Sequence, residues 1–184
     1  MRNEYAQNSQ RLMEKDHMNP SFIKTNAKQW VNAIVKQGRR LLSTKATQPQ
    51  IVSSDQSSYD FRDWIRTEEH FFIIAVGKAI DWLEELKSVD ASIQLPIEDF
   101  FKKLPNARDM RNMREHDNEY LRGNGHKQTK FHQEVKVKGV SGGGSISADA
   151  TATVIIGNNY LLGGRLNVQE TITAAEQLQI IFDD

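Results

Sequence analysis

Apolar side chains recur at helical spacing through the first two thirds of the chain and at alternate positions in the last third. From Phe22 onward, Ile23, Ala27, Trp30, Val31, Ile34, Val35, Gly38, Leu41 and Leu42 keep a 3.6-residue period over about five turns, which predicts a helix. Asn19-Pro20-Ser21 just ahead of it reads as a helix start, because proline fixes φ where its missing N–H costs nothing. A short polar helix is expected before this, over residues 3–17, with Tyr5, Leu12 and Met13 as its apolar contacts. Residues 46–58 carry Pro, Ser and Gln without periodicity and predict a loop. A second long helix is expected from an Asp60 N-cap to about Lys87, with Phe61, Trp64, Ile65, Phe72, Ala75, Val76, Ala79, Ile80, Leu83 and Leu86 as its core stripe. Ser92 to Pro96 breaks the pattern, and a helix resumes at Ile97 through Phe100, Phe101 and Leu104. Pro105-Asn106 marks a kink or fresh start before a polar helix over Ala107–Arg122. Its core positions are Met110, Met113, Tyr120 and Leu121.

After Gly123-Asn124-Gly125 the period changes to 2. Phe131 to Lys138 alternates apolar with polar, as does Ile146 to Ile156, and Tyr160 to Val168 follows a Gly157-Asn158-Asn159 turn. Gly139 to Ser145 is a glycine-rich connection, and Gly163-Gly164 within the last strand predicts a bulge or sharp bend. Asn167 with Glu170 three residues on is a capping box for a final helix, whose apolar side is Ile172, Ala175, Leu178, Ile181 and Phe182. The expected architecture is α+β: an antiparallel helical bundle over residues 1–125, then a three-stranded antiparallel β-meander and a C-terminal helix over 126–184, docked on the bundle. A small sheet of this kind needs cover on one face.

Composition narrows the function classes. A formal net charge of zero leaves no bulk electrostatic attraction to nucleic acid or membranes, so any phosphate contact must come from a local patch. The absence of cysteine excludes disulfides, thiolate catalysis and Cys-based zinc sites. The opening residues carry no apolar signal region and the longest apolar run, Phe71 to Val76, is too short to cross a bilayer. A soluble, cytoplasmic protein is expected, with no membrane partner and no DNA signature.

The histidines do not fall at metal-ligand spacing: His126 and His132 lie six apart across a strand boundary, and Glu68, Glu69 and His70 are consecutive on a helix and so diverge. No metal site and no cofactor are expected. Gly142-Gly143-Gly144-Ser145 leads into a strand, without the helix N-terminus that a phosphate cradle requires. The chemistry therefore concentrates on the polar helix, where Arg108, Asn112, His116 and Glu119 stack along one face with Arg111 at its flank. Glu69 and Lys78 on the second long helix are the candidates for an opposite wall. The bland alternative is a solvated face, in which Arg108, Arg111 and Arg114 pair with Asp109, Glu115, Asp117 and Glu119.

Arg111-Asn112-Met113-Arg114-Glu115-His116 is Arg, a polar residue, three residues and then His. This resembles the HEPN superfamily, whose hallmark is Arg followed by four to six residues and His, usually with Asn, Asp or His directly after the Arg. The resemblance covers residues 20–123 and leaves the meander outside it. It implies a helical bundle, a homodimer and metal-independent cleavage of single-stranded RNA, in a toxin, defence or RNA-processing setting. On this reading His116 is the general base or acid, because imidazole is the side chain with an ordinary pKa nearest neutrality. Arg111 stabilises charge on the phosphorane, Asn112 orients the imidazole or phosphate, and Arg108 and Arg114 are further RNA-binding contacts. Arg111 and His116 stand about 140° apart around an ideal helix, so a second subunit would be needed to bring both into one cleft. The alternative function is a non-catalytic HEPN-like interaction protein that binds a nucleotide, RNA or a protein partner. An exposed edge on the Phe131–Lys138 strand would suit that role.

Overall fold

The computed structural model describes residues 19–46, 56–137 and 144–183. The expected helix at 3–17, most of the expected loop at 46–58 and most of the glycine-rich connection lie outside them. The chain is α+β: six α-helices and two small antiparallel sheets among the described residues.

Helix α1 (Pro20–Ala46) starts where the proline predicts, and Asn19 Oδ1 accepts the Ser21 N–H at 2.9 Å. Helix α2 (Gln56–Val89) begins a turn before Asp60, so Asp60 lies inside the helix and is not its N-cap. These two helices lie along one another, with Ile23, Ala27, Val31, Ile34 and Leu41 of α1 and Phe72, Val76, Ala79 and Leu83 of α2 in the core. The expected stripe of α2 does not stay buried at its N-terminal end. Trp64 is exposed, and the Arg40 guanidinium lies 5.5 Å from its ring centroid.

A 3-10 turn, Ala91–Ile93, is capped by Asp90, whose Oδ1 accepts from the Ser92 N–H at 3.0 Å. Helix α3 (Gln94–Lys102) starts ahead of Pro96 rather than after it, because a proline in the first turn forfeits only a hydrogen bond that no carbonyl was there to accept. Asn106, at φ 65°, turns the chain into α4 (Ala107–Glu115). The polar helix expected to run unbroken to Arg122 stops at His116 (φ −116°, ψ 32°) and restarts as the short α5 (Asp117–Leu121). The break turns the Tyr120 ring inward to stack on Phe131 at 5.3 Å, and it leaves Leu121, expected in the core, 65% exposed.

The strands form two sheets where one meander was expected. Strand β1 (His132–Val137) pairs with β2 (Gly144–Asp149), and β3 (Thr153–Ile156), β4 (Asn159–Leu162) and β5 (Leu166–Asn167) form the three-stranded sheet. The run 146–156 is divided by a corner at Ala150–Ala152. There Asp149 Oδ1 accepts from Thr151 N, Thr151 Oγ1 and Ala152 N at 2.7, 2.7 and 2.9 Å. Gly163 and Gly164, at φ 57° and 67°, make the bend between β4 and β5. Asn167 then caps α6 (Val168–Asp183), accepting from Gln169 N and Glu170 N at 3.0 and 3.3 Å. Helix α6 packs on α1, α3 and β4, and a single apolar cluster runs from Ile23 to Phe182. A smaller cluster, Val135, Ala148 and Val154, fills the space between the two sheets. No described helix is long and apolar enough to cross a membrane.

Candidate functional site

Helix α4 has a closed side and an open side. Ala107, Met110 and Arg114 fall at i, i+3 and i+7, the spacing of a core-facing stripe, and the stripe is turned toward α2 and the strand corner. Asp109, Asn112 and His116 fall on the other side.

On the closed side Arg114 is nearly buried and every nitrogen of its guanidinium donates. Nε bonds to Ala150 O at 2.9 Å, Nη2 to Thr151 O at 3.0 Å and Ala152 O at 3.4 Å, and Nη1 to Glu69 Oε2 at 3.1 Å. Glu69 in turn accepts from Tyr160 Oη at 2.6 Å and Thr153 Oγ1 at 2.5 Å. Burial first, and then the adjacent Glu69 carboxylate, push the Tyr160 phenol far above its ordinary range. Among the described residues no buried side-chain nitrogen or oxygen lacks a hydrogen-bond partner. Arg114, read from sequence as an RNA contact, is thus the pin that fixes the strand corner to α4. Glu69, read as an opposite wall, is the buried anion that pin requires.

Arg111 lies between the two sides. Its Nη1 donates to Asp81 Oδ2 at 3.0 Å and its Nε is 3.3 Å from Glu115 Oε2. A Cβ added at Gly77 would come within 2.5 Å of Arg111 Cδ, so α2 is glycine where the arginine stem crosses it. Arg108 pairs with the same Asp81 at 3.2 Å and borders a separate shallow cleft with Phe101 and Leu104. Arg108 and Arg111 therefore meet at Asp81. Neither lines the cleft that holds His116.

That cleft, of about 350 Å³, is lined by Asp109, Asn112, His116, Glu119, Tyr120, His126 and Lys127. Asn112 and His116 share it as the i, i+4 spacing predicts, and the His116 N–H donates to Asn112 O at 3.1 Å. Arg111 Nε and Nη2 both donate to Asn112 Oδ1, at 3.3 and 3.1 Å. With its oxygen so engaged, Asn112 offers its amide N–H groups as donors. Glu119 Oε1 lies 3.5 Å from His116 Nδ1, on the cleft's exposed rim.

The remaining wall is a loop that sequence reasoning missed. His126 entered only as a metal ligand, yet Gly123-Asn124-Gly125 is a reversing turn that carries the following residues back along the same helix. The loop is tied down at several points. Gln128 Nε2 donates to Tyr120 O at 2.9 Å, Gly125 N to Gln128 Oε1 at 3.0 Å, and Lys127 N to Tyr120 Oη at 3.3 Å. A side chain at Gly125 would strike the Tyr120 ring. Lys127 and Lys130 reach back to Asp109 at 2.5 and 3.2 Å, and Arg165 donates to Lys130 O at 2.8 Å. Burial raises the Asp109 carboxyl, but the two lysine hydrogen bonds outweigh it and hold it below its ordinary value. Among the described residues no three His, Asp or Glu side chains are grouped to hold a metal ion.

Comparison with protein-family models, curated proteins and solved structures gave no match to this chain.

Proposed function

We propose that this chain is a HEPN-like protein that takes single-stranded RNA into the α4–α5 cleft and cleaves it without a metal. The observation that carries the reading is that Asn112 and His116, paired on sequence grounds, line one open cleft. His116 accepts the 2′-hydroxyl proton at Nε2, with the Glu119 carboxylate 3.5 Å from Nδ1 on the other side of the ring. Asn112 donates to the phosphate, and Arg111 is a positioning residue that fixes the Asn112 amide through Oδ1. A direct role for Arg111 at the phosphate requires the Asp81 pair to open. Homodimerisation and a toxin or defence role belong to the proposal through the HEPN resemblance alone, and a cytoplasmic setting through the cysteine-free sequence.

The test is cleavage of a mixed single-stranded RNA in EDTA by wild type and His116→Ala. Wild type is expected to leave 2′,3′-cyclic phosphate ends. The variant is expected to lose activity by about 10²–10⁴-fold with its melting temperature unchanged, since His116 is an exposed residue at a helix end.

A second reading, a non-catalytic interaction protein, is favoured by two observations. Arg108 and Arg111 are neutralised by Asp81 and Glu115, and Asp109 and Glu119 set carboxylates at the cleft. Well-folded wild type that fails to cleave would support it, and fluorescence anisotropy with labelled RNA would then separate an RNA ligand from a protein one.

A further inference from the structure

We infer that His126 is the second acid–base group of this cleft, protonating the leaving 5′-oxygen while His116 deprotonates the 2′-hydroxyl. The inference rests on the ribonuclease reading above and adds a residue that lies outside the Arg–His motif. Transesterification at phosphorus needs two proton transfers, one from the nucleophile and one to the leaving group, and a single imidazole cannot stand at both ends of an in-line displacement. The cleft holds two imidazoles, both exposed and carried on different segments: His116 at the end of α4 and His126 on the returning loop.

The other groups facing His126 are less suited to the part. Tyr120 keeps its ring under Phe131, and its hydroxyl accepts from Lys127 N. Lys127 is bound to Asp109 and leaves its backbone to the Tyr120 contact. Asp109 is held ionised by two lysines and so has no proton to give near neutrality, and Glu119 stands at the opposite partner, beside His116. His126 itself makes no hydrogen bond or ion pair among the described residues. The loop beneath it is built rather than loose, with Gly125, Lys127 and Gln128 all tied to Tyr120 or to each other.

The 2′-oxygen bonds to phosphorus as His116 Nε2 takes its proton. The bond from phosphorus to O5′ breaks as the His126 imidazolium gives its proton to O5′. The products are a 2′,3′-cyclic phosphate and a 5′-hydroxyl. The two imidazoles have exchanged protonation states, which solvent restores.

The deciding experiment compares wild type, His116→Ala and His126→Ala on an RNA dinucleotide and on a ribonucleoside 3′-(4-nitrophenyl) phosphate, whose leaving group departs without a proton. His126→Ala is expected to lose dinucleotide cleavage by about 10²–10⁴-fold and to keep the activated ester within about tenfold, whereas His116→Ala loses both. His126→Gln, with thermal melts of every variant, guards against a folding defect. Dinucleotide cleavage by His126→Ala at the wild-type rate, or equal loss on both substrates, would overturn the inference while leaving the His116 reading intact. No cleavage of either substrate by wild type would overturn both.

Discussion

The two sides of α4 carry the same kinds of residue in opposite surroundings. On the closed side, Arg114 and Glu69 are almost wholly out of water, and each bonds to several partners from separate elements. On the open side, Asn112, His116 and Glu119 face solvent, and the His116 ring has one anionic neighbour. A buried ion is tolerable only when its charge and all its hydrogen-bonding positions are met, so such groups are held for architecture. An exposed imidazole costs nothing to leave with a free nitrogen, and a free nitrogen is what proton transfer needs. Residue type alone does not separate the two cases, and burial does.

Breaking the closed side should have the largest effect. Glu69→Ala or Arg114→Ala leaves its partner charged and buried, and each is expected to cost about 3–5 kcal/mol in urea unfolding. The double variant Glu69→Leu with Arg114→Met should recover part of that loss, because no lone charge remains. Equal destabilisation by single and double variants would mean that the backbone bonds of Arg114, and not the ion pair, hold the strand corner.

At the boundary between the sides, Asp81→Asn removes the anion shared by Arg108 and Arg111. These groups are partly exposed, so a loss below about 1 kcal/mol is expected, shrinking further at high salt. A loss as large as that of Glu69→Ala would place Arg111 with the closed side.

The smallest effect concerns the loop clamp. Because the folded-state pKa of Asp109 lies below its unfolded value, its contribution is present above the ordinary carboxylate range and is lost as pH falls through the folded value. Stability measured from pH 6 downward should therefore fall less steeply below about pH 4 in Asp109→Asn than in wild type. Identical pH profiles for the two proteins would dissociate the clamp from this titration.

The helices were legible where one apolar stripe serves one continuous core. Ile23 to Leu42 keeps its period because α1 buries that stripe along its length against α2 and α6. Reading failed where the third dimension intervenes. Nothing local distinguishes His116 from the helix formers around it, and the break there answers to the Tyr120–Phe131 stack. The strand corner at Ala150–Ala152 was hidden because Asp149 sits in register with the alternation that it ends. The partners of Arg114 are invisible by type, since three of its acceptors are carbonyl oxygens and the fourth is a glutamate 45 residues away. Its burial was nonetheless written in the helical arithmetic: seven residues beyond Ala107 and four beyond Met110, it continues the core stripe. The same count sets Asn112 and His116 apart from it. His126 escaped because its place depends on the Gly125–Tyr120 contact rather than on spacing.

The neighbouring carboxylates Glu68 and Glu69 have a consequence for the order in which the chain is made. Glu68 meets Arg40 at 2.7 Å and Gln37 at 2.5 Å, both of which leave the ribosome before it does. Glu69 waits for Arg114, Thr153 and Tyr160, the last of them 91 residues later. During synthesis one side of α2 can be satisfied at once, while the other must stay wet until the strands emerge. A helical body closed without the strands would enclose a bare anion, so Glu69 makes full burial of this side of α2 conditional on the sheet being in place.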